Sequence, residues 1–145
     1  MASGVDSTAL RAARERVGLT QHQLARLVGV AGGERVSRWE LGTSEPRPEM
    51  LVRLAKALDL PVLQLLEVVD DMPDLRALRF AAGLSAADAA AKAHVSKATY
   101  QRWESGRGER MPGKQNLQGL ARALSVSARV TVAALERSRL LARDS

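Results

Sequence analysis

The sequence predicts an all-α protein built from two tandem copies of one unit of short helices. Composition and internal repetition together predict it. Of the 145 residues 46% are hydrophobic, mostly Ala, Leu and Val, and only Trp39, Phe80, Tyr100 and Trp103 are aromatic. Ala and Leu favour helices, and no long β-branched, alternating run suggests a strand. Five sequence blocks then recur in the same order. Gly18-Leu19-Thr20 returns as Gly83-Leu84-Ser85, 65 positions later, with Leu24-Ala25 matching Ala89-Ala90 and Val30 matching Val95 at that offset. Trp39-Glu40-Leu41-Gly42 matches Trp103-Glu104-Ser105-Gly106 at an offset of 64. Leu54-Ala55-Lys56-Ala57-Leu58 matches Leu120-Ala121-Arg122-Ala123-Leu124 at 66. Length changes confined to the joints between blocks mark a repeated unit.

Each element has a local cause. Leu10, Ala13 and Val17 have helical spacing, and Gly18 ends that helix. Thr20 suits an N-cap, with Gln23 completing a capping box. The second copy has Ser85 and Asp88 there, and the acid suits a positive helix N-terminus. Gly29 fits a left-handed turn before the third helix, whereas His94 takes that conformation at some cost. Ser96 caps the third helix of the second copy. In the first copy Ala31-Gly32-Gly33-Glu34 replaces that start and carries one extra residue. Its two glycines are expected to weaken the helix start or turn it into a flexible loop. Pro48 and Pro61 suit the first positions of the next two helices.

The boundary is expected at Asp70-Asp71-Met72-Pro73, with Pro73 opening the next helix, giving domains 1–70 and 71–145. Ser127 to Arg143 reads as a terminal helix. Val130, Ala134, Leu135 and Leu141 give it a partial apolar face, and Arg137, Arg139 and Arg143 load its end with cations.

Charge narrows the function classes. The chain carries a net charge of +6. Residues 1–70 hold nine basic and nine acidic side chains, and residues 71–145 hold thirteen against seven, so the second copy carries the whole surplus. An anionic partner is favoured, and local cation density decides phosphate attraction. With no cysteine there is neither a disulfide framework nor a cysteine zinc site. His22 and His94 lack ligand-spaced partners, so no metal is expected. No phosphate-cradling Gly-rich loop or nucleophile elbow is present, so neither an enzyme nor a cofactor is expected. Gly106-Arg107-Gly108 reads as a flexible loop. Without a membrane-spanning run or a signal-like start, the expected location is the cytoplasm.

Leu19-Thr20-Gln21-His22-Gln23-Leu24-Ala25, then Val28-Gly29-Val30, Val36-Ser37-Arg38-Trp39-Glu40 and Gly42, resemble the lambda-repressor/Cro-like helix-turn-helix family. The second copy resembles it through Leu84-Ser85, Ala89-Ala90, Val95-Ser96-Lys97-Ala98-Thr99-Tyr100-Gln101-Arg102-Trp103-Glu104 and Gly106. Together the resemblances cover roughly residues 7–68 and 73–135. They imply two five-helix domains and a bacterial or phage transcriptional regulator that binds double-stranded DNA, with the third helix of a domain in the major groove. Ala25 and Ala90 match the small residue that lets the second and third helices approach. Arg14 with Glu40, and Arg79 with Glu104, match a family ion pair, so these four and both tryptophans are expected to be architecture.

The resemblance places base-reading positions of the second copy at Lys97, Ala98 and Arg102, with Thr99 and Gln101 nearby. Lys or Arg donates to guanine, Gln pairs with adenine, and Ala packs on a thymine methyl. Arg107, Arg110 and Lys114 fall in a Gly-rich loop where the family meets phosphate. In the first copy Gln21 matches a phosphate-contacting glutamine, and Arg35, Ser37 and Arg38 are the candidate contacts. A domain of neutral balance can still read DNA, or instead serve a homodimer contact or a protein partner; the alternative function is an antitoxin-like or sigma-factor-binding adaptor in which one copy binds protein. Leu60-Pro61-Val62-Leu63-Gln64-Leu65-Leu66 would suit a helix interface, although such residues more often close the domain's own core or the contact between the two copies.

Overall fold

Capping residues set the helix boundaries. The computed structural model describes residues 4–68, 71–108 and 110–143. The Asp6 carboxylate accepts from Ala9 N–H and opens α1 (Ser7–Arg16), and Gly18, at φ +76°, turns the chain out of it. Thr20 and Gln23 form the reciprocal capping box that starts α2 (Gln21–Val28), which Gly29 ends in a left-handed conformation. Next come α3 (Gly33–Leu41) and α4 (Pro48–Ala57), with Pro48 in the first turn of α4. A short 3-10 helix, Val62–Leu65, closes the first copy.

The second copy repeats the plan with α5 (Leu75–Ala81), α6 (Ala86–Lys92), α7 (Lys97–Ser105) and α8 (Lys114–Leu124). It ends in the longer α9 (Ala128–Arg143). His94 does take a left-handed turn, at φ +60°. Among the described residues all regular structure is helical, apart from one isolated bridge between Val5 and Leu66.

Four details differ from the sequence reading, each for a local reason. Pro61 precedes a single 3-10 turn because Leu66 goes extended to pair with the N-terminal segment. There Asp6 N–H donates to Leu65 C=O at 2.8 Å, and Glu67 N–H donates to Gly4 C=O at 2.7 Å. Asp74, rather than Pro73, opens α5, its buried carboxylate accepting from Ala77 N–H at 2.9 Å; Asp70 lies outside the described residues. The Gly-Gly insertion forms only a bend at Ala31–Gly32, because α3 already begins at Gly33. On α9 the buried stripe is Thr131, Ala134, Leu135 and Ser138, at i, i+3, i+4 and i+7, while Val130 is 40% exposed. Two polar residues fit that stripe because they are satisfied: Thr131 donates to Ser127 C=O, and Ser138 Oγ accepts from Leu75 N–H.

Two cores result, and α5 serves both. Leu75 and Leu78 pack with Ala89, Tyr100 and Leu120 in the second core. Ala77 and Phe80, on the other side of α5, belong to the first core with Leu10, Leu24, Trp39 and Leu54. Arg76 reaches Glu45 of the first copy at 3.9 Å. Leu65 and Leu66 are buried, and Leu60, Val62 and Leu63 pack partly buried on the first core. That segment closes its own core and touches α5, which removes it as a free interface helix. In the second copy α9 packs on α5, α7 and α8.

Candidate nucleic-acid interface

A repeated three-bond lock holds α3 and α7. Arg14 donates from Nε to Glu40 Oε2 at 2.6 Å, from Nη2 to Oε1 at 2.9 Å, and from Nη1 to Leu19 C=O at 2.8 Å. Arg79 repeats the geometry on Glu104 and Leu84 C=O, at 2.8, 2.9 and 3.0 Å. A planar guanidinium thus ties the first helix of each copy to the third and to the turn before the second. The pKa of Arg14 is raised, chiefly by its hydrogen bonds to Glu40. Burial opposes the charge of Arg79, but the bonds and charge of Glu104 outweigh it, so its pKa is raised too. With Ala25 and Ala90 fully buried against the next helix, the second and third helices of each copy form a close pair.

On this frame α7 turns a polar face outward. Ser96 Oγ accepts from Thr99 N–H at 3.1 Å and donates to Thr99 Oγ1 at 2.9 Å, which fixes the helix start and engages the Thr99 hydroxyl. Lys97, Ala98, Gln101 and Arg102 are exposed and Thr99 partly so. The i, i+4 spacing of Lys97 with Gln101 and of Ala98 with Arg102 puts these side chains on adjoining rows of one face. Arg107 and Arg110 are exposed in the following loop, and Arg102, Trp103, Arg107 and Arg110 line one open depression. Lys114, expected in that loop, is instead the exposed first residue of α8. Among the described residues no carboxylate pairs with Lys97, Arg102, Arg107, Arg110 or Lys114.

The matching face of α3 is chemically different. Gly33 stands where α7 has Lys97, and Gly32 offers no side-chain cap. A Cβ on Gly33 would lie 3.2 Å from His22 N and 3.3 Å from Gln21 Cβ, so the glycine admits a close approach of α3 to α2. Arg38 lies 3.9 Å from Glu34, and the Arg35 guanidinium sits over Trp39, 5.9 Å from the ring centroid. Gln21 Nε2 donates to Glu40 Oε1 at 3.1 Å, so that amide is partly spent on the scaffold. Ser37 is partly buried.

A helix-turn-helix family model matches residues 10–65 and again residues 75–137. The chain belongs to the helix-turn-helix family. It is a tandem of two DNA-binding helix-turn-helix domains of the lambda repressor/Cro-like type. No curated protein and no solved structure matches it.

In this helix-turn-helix tandem the expected site residues of the second copy, Lys97, Ala98, Thr99, Gln101, Arg102, Arg107, Arg110 and Lys114, fall on α7, the loop after it and the start of α8. Those of the first copy, Gln21, Arg35, Ser37 and Arg38, gather on α2 and α3, where neighbours engage Gln21, Arg35 and Arg38. Two features escaped the sequence reading. Trp39 is buried at 4% exposure, but Trp103 is only partly buried and forms a wall of the depression beside Arg102. Gly106, read as flexible, caps α7 at φ +74° with the α9 backbone pressed on it. Only the packing of α9, distant in sequence, could have revealed that contact. Among the described residues no helix is long and apolar enough to cross a membrane.

Proposed function

We propose that this chain is a sequence-specific transcriptional regulator in which the second helix-turn-helix domain carries most of the affinity for DNA. The observation that carries this reading is the basic face of α7 and its loop, without an ion pair among the described residues, set against the internally paired face of α3. Unpaired cations release phosphate counterions on binding, whereas Arg38 must first leave Glu34. Lys97 and Arg102 are suited to guanine, Gln101 to adenine, and Ala98 to a thymine methyl. Arg107, Arg110 and Lys114 would fix register on the backbone. Selection of duplexes from a random-sequence pool by the full chain tests the reading. One enriched motif, protected in a footprint, is expected. Retained duplexes no different from the input pool would overturn it.

One observation favours a second role for the first domain as a protein-binding or self-associating surface. Leu27 is 62% and Leu41 71% exposed, where the second copy has Lys92 and Ser105. Sedimentation of the full chain with and without duplex separates the roles. Self-association that Leu27→Lys and Leu41→Ser abolish, with DNA affinity unchanged, supports it; a monomer at every concentration removes the self-association form.

A further inference from the structure

The basic surface does not end at the loop after α7. Gly106 closes α7 directly against α9, where an added Cβ would collide with Ser138 O and lie 2.9 Å from Arg139 N. That contact sets the last turns of α9 beside the loop. Arg110 and Arg139 line one depression, floored by Trp103, Met111 and Leu135. Arg139 and Arg143 line the next, with Met111 and Leu140. Both depressions share Met111 and Arg139, so the cations of α7, its loop and α9 form one continuous track. Arg139 and Arg143 are one helical turn apart on the same face. Among the described residues neither makes an ion pair, although Glu136 borders the outer depression.

We infer that Arg139 and Arg143 of α9 form an additional phosphate-binding site, which carries the DNA backbone past the loop of the second domain and along the C-terminal helix. The site recognises the phosphodiester chain and no base, because α9 meets α7 at Gly106, the C-terminal end of the helix, whereas Lys97 and Ala98 stand at its start. It is a charge contact of two cations, Arg143 exposed and Arg139 partly buried, so it adds to affinity and salt dependence without adding to sequence preference. The inference rests on the DNA-binding reading of the second domain.

The test uses the full chain and a random-sequence duplex, with binding measured across a salt series. Three variants are compared with wild type: Arg139→Gln/Arg143→Gln, the charge-retaining Arg139→Lys/Arg143→Lys, and Arg143→Gln alone near the helix end. The double Gln variant should bind roughly ten- to a hundredfold more weakly at low salt and lose about 1 from the salt slope for each cation removed. The Lys variant should keep the wild-type slope, Arg143→Gln should fall between, and the base preference of a selected duplex should not change. A double Gln variant that folds and keeps the wild-type slope overturns the inference alone. If it also loses binding to polyglutamate, the face belongs to an acidic protein segment instead. A wild-type chain that leaves the duplex unbound overturns the DNA reading itself, and this inference with it.

Discussion

Arg38 lies 3.9 Å from Glu34, one turn earlier on the same exposed helix face, while its counterpart Arg102 has Ala98 at that place. An exposed pair of this kind adds little to stability, roughly 0.3–0.5 kcal/mol. Its larger effect is on the field: Glu34 cancels the charge that phosphate would meet. With Gly33 in place of Lys97, these two positions leave α3 a less basic outer face than α7. The scaffold beneath the two surfaces is nevertheless the same.

That scaffold predicts one stability result. The Arg79 and Glu104 side chains are 9% and 13% exposed, so removing one partner strands the other in a poorly hydrated place. Arg79→Ala should destabilise the second domain by about 3–5 kcal/mol in urea denaturation. A loss below about 1 kcal/mol would place the pair among weak surface contacts.

Tyr100 predicts a pH effect. Its side chain is fully buried beside that pair, and its hydroxyl makes no hydrogen bond of ordinary geometry among the described residues. Burial above all, then the charge of Glu104, raises its pKa well beyond the ordinary 10.0. The neutral phenol is therefore favoured in the folded state. That contribution is fully present below pH 10, the unfolded value, and is lost as pH climbs toward the raised folded value. Tyr100→Phe should leave stability near neutral pH unchanged or up to about 1 kcal/mol higher, and should flatten the alkaline decline. Denaturation curves at neutral and alkaline pH check this, and an equally steep decline in the Phe variant would refute it.

Phe80 predicts coupling between the copies. It is encoded in the second and packs in the core of the first. Phe80→Ala should cost about 3–5 kcal/mol. In a Trp103→Phe background, the fluorescence of buried Trp39 should then report unfolding of the first domain at lower urea. An unmoved Trp39 transition would show that the two cores are independent.

Gly106 predicts a positional effect. Its positive φ and the collision of an added Cβ with Ser138 O both exclude a side chain. Gly106→Ala should cost more than about 1 kcal/mol and loosen α9, read as faster amide exchange in Ala128–Arg143. Protection equal to wild type would contradict the contact.

These positions mark what was legible from sequence. The caps Thr20, Ser85 and Ser96, the turn residues Gly29 and His94, and both Arg–Glu pairs were readable because each depends on local spacing or on a pattern present twice. The exposure of Lys97, Ala98, Gln101 and Arg102 on α7 follows from the same helical spacing. Asp74 as a cap was hidden by the neighbouring Pro73, and the 3-10 turn at Val62 depends on Val5, far away in sequence. The division of α5 between two cores was equally hidden. A helix that is apolar on two sides reads in sequence as a single buried stripe.

Because α5 contributes to both cores, the central claim is best tested in the full chain rather than in separated halves. The measurement is the salt dependence of duplex binding by Lys97→Ala/Arg102→Ala and by Ser37→Ala/Arg38→Ala, each against wild type. The α7 variant should lose at least about tenfold in affinity, about 1–2 from the salt slope and much of its base preference, while the α3 variant changes affinity by less than about threefold. Equal losses in the two variants, or a larger loss in the α3 variant, would contradict the assignment of DNA affinity to the second domain.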